Sequence, residues 1–352
     1  MKSFGERLLA WYDVHKRDLP WRHTSDPWAI WVSEIMLQQT RVEVVRQVFP
    51  AFMKRFPTPE SLAKASDDQL LSAWKGLGYY QRARRLRAGA QSVVDRHGGK
   101  VPGTAPELGE LEGIGSYTRG AVASIAFGLP ELAVDGNVER VAARHKAIDG
   151  PVKSGPGYRS VCEAVAGWMD PSRAGDFNQA LMELGATVCT PSSPSCGACP
   201  VAEDCLARER GLQDQLPKLP ERRKAIEVAS RAALVLLSRG RVLGSRIPED
   251  QINGGQVDLP GPGVLEPTAT ASELEQELRR LYGVEFEVGE VVTTVQHSIT
   301  HHRIRLQVHR ATCARGPGPN LMAARPDDPR VPWTTAARKA FSQSALFLAS
   351  RQ

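Results

Sequence analysis

Four cysteines, Cys189, Cys196, Cys199 and Cys205, are spaced C-x6-C-x2-C-x5-C in a loop rich in Pro, Ser and Gly. Four thiolates delivered from one short loop can enclose a metal centre. An iron–sulfur cluster and a structural zinc ion both suit this pattern, since zinc sites also use C-x2-C pairs. Disulfides suit it poorly, because nothing in the chain suggests secretion. Upstream, Leu111-Glu112-Gly113-Ile114-Gly115-Ser116 is a Gly-x-Gly turn opening a helix. Gly113 and Gly115 let the backbone approach a ligand, and a helix start offers free amides to an anion. On DNA this is a sequence-independent grip on one phosphate. Asp135 ends the apolar Ala133-Val134 stretch just before the next helix, where it can serve as an ordinary N-cap or as a reacting carboxylate. Glu34 stands among Trp31, Ile35 and Leu37. Desolvation there raises its pKa and keeps a carboxylic acid able to donate a proton; the alternative is a solvent-facing helix charge.

The elements that must position these groups change character along the chain. Apolar residues recur at helical spacing over Trp28–Phe56, Pro59–Trp74, Tyr80–His97, Ser116–Phe127, Val138–Ala147, Val161–Trp168 and Asp176–Val188. Residues 1–208 therefore read as a mainly α region. A polar stretch with Pro217 and Pro220 follows, giving a linker over 209–227. From 228 to 352 the period turns to two: a hairpin about Ser-Arg-Gly, strands over Phe286–Val295 and Arg303–Val308, and a helix capped by Ser272. A helix over Ala336–Ser350 completes an α+β domain. At 352 residues two cores are expected. The net charge of +6 favours a polyanionic partner. Met1–Trp21 reads as an amphipathic helix without a signal peptide's apolar centre, and Cys162 and Cys313 alone lie outside the cysteine loop. A cytoplasmic monomer is expected.

The chain resembles the helix–hairpin–helix DNA glycosylases that carry an iron–sulfur cluster, and within them the MutY family of adenine DNA glycosylases. The resemblance rests on Leu19-Pro20-Trp21-Arg22, Ser33-Glu34-Ile35-Met36-Leu37-Gln38-Gln39-Thr40 and Gly76-Leu77-Gly78-Tyr79-Tyr80. The hairpin, Val134-Asp135-Gly136-Asn137-Val138, Phe177–Ala186 and the cysteine loop complete it. It runs from about residue 5 to 208 and weakens beyond.

The resemblance implies a six-helix barrel with a 4Fe-4S cluster on the four cysteines, acting on double-stranded DNA with adenine opposite 8-oxoguanine or guanine. It implies Glu34 as general acid for the leaving purine, and Asp135 stabilising the oxocarbenium-like sugar, as in glycoside hydrolysis. Tyr117 and Asn137 would hold that constellation. Trp21, Arg22, Leu37, Gln179 and Met182 would line the adenine pocket; Gln39 and Tyr79 would fill the space left by the flipped base. Relatives of the endonuclease III type attack the sugar with a lysine two residues after the hairpin's last glycine. Here that position is Tyr117, and a phenol forms no Schiff base, so hydrolysis without strand cleavage is expected. A glycosylase/lyase and a non-catalytic iron–sulfur DNA-binding protein are the alternatives. Arg82, Arg84, Arg85 and Arg87 make a basic run suited to phosphate contact.

Gly254–Gly283 follows a Nudix-like layout, yet Glu275-Gln276-Glu277-Leu278-Arg279-Arg280 lacks the Arg-Glu-x-x-Glu-Glu metal sequence. The resemblance makes this domain a reader of 8-oxoguanine through a Phe-Ser-His turn, matched here by Ile299-Thr300-His301 with the aromatic replaced.

Overall fold

The computed structural model describes residues 2–218, 224–314 and 320–344. The chain divides into two units, Met1–Ala65 with Gly76–Glu221, and Ser66–Lys75 with Arg222–Gln352. Among the described residues twelve α-helices precede the first strand: α1 Phe4–His15, α2 Pro27–Leu37, α3 Val42–Arg55, α4 Pro59–Ala63, α5 Asp67–Ala73, α6 Gln81–His97, α7 Ala105–Gly109, α8 Ser116–Phe127, α9 Gly136–His145, α10 Gly155–Trp168, α11 Ala174–Thr187 and α12 Leu206–Glu209. All but α5 belong to the first unit.

Local chemistry starts these helices where it is strongest. Ser3 and Glu6 form a capping box on α1; Asp26 accepts from the Trp28 amide and Pro27 opens α2. Every residue from Trp28 to Met36 is buried, the pattern of a helix packed on all sides. In a separate cluster, α1 lays Leu8 and Tyr12 against Val138, Val141, Val161, Phe177 and Leu181 from α9, α10 and α11.

Two expected helical runs are broken. Trp28–Phe56 becomes α2 and α3, because Gln39 takes a left-handed φ of 54° between them. Pro59–Trp74 becomes α4 and α5, since Ser66 starts afresh with its own capping box to Gln69. Met1–Trp21 holds only α1 and a short 3₁₀ turn, Pro20–Arg22. No helix among the described residues is long and apolar enough to cross a membrane.

The second unit is built on a mixed sheet. Its strands are β1 Ile226–Leu237, β2 Arg241–Arg246, β3 Val257–Asp258, β4 Phe286–Ile299, β5 His302–Cys313 and β6 Leu321–Ala324, ordered β3-β2-β1-β5-β4 with β6 also on β2. The expected hairpin joins β1 to β2, while β1 and β5 run parallel from Ile226↔His302 to Val235↔Ala311. Alternation along β1 sends Ala233 and Val235 towards Leu274, Leu278 and Tyr282 of helix α13 (Ala271–Tyr282). Leu234 goes the other way, to the core shared with Ala336, Ala340 and Phe341 of helix α14 (Thr335–Gln343). The α13 cap is Thr270, which accepts from the Glu273 amide, not Ser272 as expected. The helix expected over Ala336–Ser350 is α14, and residues 345–350 lie outside the described residues. So do residues 219–223 of the expected linker.

Gly120 in α8 marks a close approach that matters for the site. A Cβ there would lie 1.8 Å from the carbonyl oxygen of Leu132, on the segment leading to Asp135. Gly120→Ala should therefore destabilise the protein by about 1–3 kcal/mol through overpacking, read as a lower midpoint in thermal denaturation.

Candidate active site

Helix α2 brings Glu34 into the interior at 5% exposure. Tyr117, in the first turn of α8, donates its hydroxyl to Glu34 Oε2, and the same hydroxyl lies 3.2 Å from Met182 Sδ on α11. Burial raises the Glu34 carboxyl to about 7; the Tyr117 hydrogen bond opposes this, the Asp135 charge adds to it, and Arg22 opposes it. Burial, and then the charges of Glu34 and Asp135, push the Tyr117 phenol well above its ordinary range. At neutral pH the phenol is a donor and Glu34 is divided between acid and carboxylate.

Asp135 caps α9. Its Oδ1 accepts from the amides of Asn137 and Val138, both at 2.9 Å, and its Oδ2 accepts from Asn137 Nδ2 at 2.7 Å. The carboxylate is half-buried, and its charge reaches both Glu34 and Tyr117. Helix cap and candidate carboxylate are thus the same group. Asn137 Oδ1 in turn accepts from Arg140 at 2.8 Å. Gly185 of α11 makes room, since a Cβ there would sit 2.6 Å from Asn137 Cβ. Buried Asn178 fixes the approach to Asp135: its Oδ1 accepts from the Ala133 amide at 3.1 Å, and its Nδ2 donates to Ser124 Oγ and the Glu131 carbonyl, each at 2.8 Å.

Around this pair the other candidates fall into place unevenly. Leu37 is half-buried one turn beyond Glu34; Gln179 and Met182 are half-buried on α11. Trp21 is buried and meets Phe49 edge-on at 5.7 Å. Arg22 donates to Glu183 Oε2 at 2.8 Å and to the Arg17 carbonyl at 2.9 Å, so its guanidinium is committed to a buried ion network. Burial pushes Glu183 up, but hydrogen bonds from Arg17 and Arg22 prevail and hold it at about 2. Nothing in the spacing of Arg17, Arg22 and Glu183 announces that network.

Gln39 and Tyr79 are exposed, Tyr79 at 54%. Gly113 takes φ 82°, which favours glycine, and Gly115 starts α8 with no side-chain cap and open space at its Cβ position. The basic run beside Tyr79 behaves differently from expectation at Arg82, whose guanidinium turns inward onto backbone carbonyls.

The four cysteines line a common cavity. Arg144 of α9 donates to Cys189 Sγ at 3.3 Å and to the Thr190 and Pro191 carbonyls, while Arg140 donates to the Cys189 carbonyl at 2.8 Å. Burial pushes the Cys199 thiol up to about 11, so thiolates there need a cationic centre in place of their protons. Zinc draws its thiolates to about 2.3 Å from one point. Among the described residues no three His, Cys, Asp or Glu side chains are placed to hold one metal ion. A ring of four thiols about a cavity, with an arginine on one sulfur, fits a many-atom cluster.

In the second unit, Ile299-Thr300-His301 forms the tip of the β4–β5 hairpin. Thr300 is exposed at φ 53°, its hydroxyl donating to the Ile299 carbonyl at 2.7 Å. Ile299 is half-buried against the sheet core, and the His301 and His302 rings lie 4.2 Å apart.

Residues 32–156 match the HhH-GPD superfamily base excision DNA repair protein model, and 189–205 match the iron–sulfur binding domain of endonuclease III. The cofactor of the cysteine loop is a 4Fe-4S cluster. A human adenine DNA glycosylase is 48% identical over 223 residues, 61% of this chain and 41% of that protein. An adenine DNA glycosylase of Mycolicibacterium smegmatis is 43% identical over 209 residues, 58% of this chain and 69% of that protein. The chain spans less than half the length of the mammalian, plant and yeast relatives it matches. Among solved structures, a thermostable thymine-DNA glycosylase superposes with a TM-score of 0.54 at 30% identity, covering 59% of this chain and 95% of that one. At 43% identity to a relative of which it covers 69%, the chain belongs to the adenine DNA glycosylase family.

Proposed function

We propose that this protein is a monofunctional DNA glycosylase that removes adenine opposite 8-oxoguanine or guanine by hydrolysis. The observation that supports it most is the buried Glu34, held near pKa 7 with Tyr117 on one oxygen and the Asp135 charge close by. An adenine anion is a poor leaving group, so the carboxylic acid of Glu34 would protonate the departing base. Asp135, oriented by two amides and Asn137, would stabilise positive charge at the anomeric carbon. Acid help of this kind accounts for roughly 10²–10⁴ in rate. The adenosine must first leave the stack, at a cost of a few kcal/mol that a mispair reduces. Gln39 and Tyr79 would occupy the gap, stacking being worth roughly 1–3 kcal/mol per base. Gly113, Gly115 and the start of α8 would hold a phosphate. Trp21, Leu37, Gln179 and Met182 would border the base, with Arg22 acting on them through Glu183. The cysteine loop with its cluster would shape a basic surface against the backbone. The second unit would serve as a Nudix-like reader of 8-oxoguanine through Ile299, Thr300 and His301. The enzyme would work as a cytoplasmic monomer on nucleoid DNA.

The deciding experiment is single-turnover adenine release from A:8-oxoguanine, A:G and A:T duplexes, with alkali treatment compared against none. Release without strand scission until alkali is added supports the reading; scission without alkali would favour a lyase. Glu34→Gln and Asp135→Asn should each abolish release while duplex affinity is kept, and near-normal turnover in either removes that residue from the mechanism.

The acid must be protonated to act. Release should therefore plateau at low pH and fall tenfold per unit above about 7. Tyr117→Phe removes a hydrogen bond that favours the ionised form, so this limb should move to higher pH; a shift downward contradicts the assigned roles.

Thr300→Ala or His301→Ala should narrow the preference for A:8-oxoguanine over A:G in the same assay. An unchanged ratio would place lesion reading elsewhere.

A further inference from the structure

Arg82, the second residue of α6, sends one guanidinium to acceptors on three stretches of the chain. Its Nη1 donates to the carbonyls of Ile35 at 2.7 Å, Met36 at 3.1 Å and Gln38; its Nη2 donates to Thr40 Oγ1 at 3.0 Å and to the carbonyls of Leu77 at 2.8 Å and Gly78 at 3.2 Å. The first two carbonyls lie in the last turn of α2, where helix carbonyls lack intrahelical partners, and they directly follow Glu34. The next two acceptors flank Gln39. The last two precede Tyr79, whose ring centroid is 5.8 Å from the guanidinium carbon.

Both exposed side chains hang from backbone that ordinary residues avoid: φ is 54° at Gln39 and 45° at Tyr79, which follows glycines 76 and 78 at 93° and 66°. Such conformations cost about 1–3 kcal/mol each and persist only where the surroundings over-determine them. Arg82 is the group common to both loops. Thr40 reinforces it, its hydroxyl donating to the Leu77 carbonyl at 3.2 Å across the gap between the loops.

We propose that Arg82 is a positioning residue that locks the loops of Gln39 and Tyr79 to the end of the helix carrying Glu34, so that wedge insertion and delivery of the acid are set by one guanidinium. The inference rests on the glycosylase reading above. It replaces the phosphate contact expected for this arginine: its donors face protein, and burial lowers it only to about 10, leaving it charged. Lysine, a point charge with three donors, cannot span acceptors on three segments.

The test uses the full chain as wild type, Arg82→Lys and Thr40→Val. In Arg82→Lys, amide hydrogen exchange should quicken together in residues 38–40 and 77–79. Single-turnover release should fall about 10²-fold, the scale of a 1 Å misplacement, while the pH midpoint of the acid limb stays put. The dependence of duplex affinity on salt should keep its slope. Thr40→Val should show the same paired loosening in weaker form, which decides the matter if Arg82→Lys folds poorly. A slope reduced by about one ion would make Arg82 a phosphate contact, and loosening of one loop alone, or of neither, would also overturn the proposal. If the wild type releases no adenine the glycosylase reading fails, whereas exchange and salt slope still judge the clamp.

Discussion

The hydrogen bond from Tyr117 to Glu34 inside a desolvated helix is the constraint on which the first unit turns. A lone carboxyl surrounded by Trp31, Ile35 and Met36 would be pushed far towards its neutral form and lost as a titrating group. A phenol on one oxygen supports the charged form, and a half-buried aspartate nearby opposes it. The balance leaves the acid near neutrality. Each opposing contribution comes from a different helix, α8 for the phenol and the start of α9 for the aspartate, so the fold itself sets the proton affinity.

The same economy of groups appears at Asp135. Capping α9 commits its Oδ1 to two amides, and that commitment is what keeps the carboxylate aimed. From the cap, α9 runs on through Arg140 and Arg144, one turn apart, both reaching the cysteine loop. Arg140 also grips Asn137, the residue that orients Oδ2. The helix therefore ties the cluster loop to the carboxylate by a continuous set of hydrogen bonds. A cluster that does no chemistry on the base still has a structural reason to sit there, since its loop is the far anchor of the helix that aims Asp135.

What could be read from the residues divides along physical lines. Groups whose chemistry is local were legible: the cysteine spacing, the Gly-x-Gly turn, and an acid set among tryptophan and isoleucine. Helix α8 was bounded correctly because glycine ends it and a turn begins it. Contacts between distant segments were not legible. Arg22 read as a pocket residue, yet its partner Glu183 lies 161 positions away. Arg82 read as one member of a basic run, because composition cannot tell an arginine facing solvent from one facing carbonyls. The break between α2 and α3 is illegible for the same reason: no glycine or proline marks it, and the left-handed Gln39 is imposed from outside. In the second unit, the cap of α13 lies two residues before the expected Ser272, because Thr270 and Ser272 are chemically interchangeable as caps. Strands β3 and β6 were too short to show a period.

Gln39, Tyr79 and Thr300 deserve comparison because all three combine exposure with a positive φ. Glycine at these positions would relieve the backbone, and elsewhere the chain uses it freely for that purpose, as at Gly98, Gly128 and Gly283 ending their helices. Retaining an amide, a phenol and a hydroxyl instead means the side chain is worth more than the strain. A left-handed residue also projects its side chain from the apex of a tight turn, ahead of its neighbours. Arg82 and Thr40 hold the strained backbone in place, while the Tyr79 side chain, 54% exposed, stays open to a ligand. A stacked duplex, opened where one base has been withdrawn, offers flat apolar faces and unpaired polar edges at once, and those are the surfaces that a phenol ring and a side-chain amide complement together.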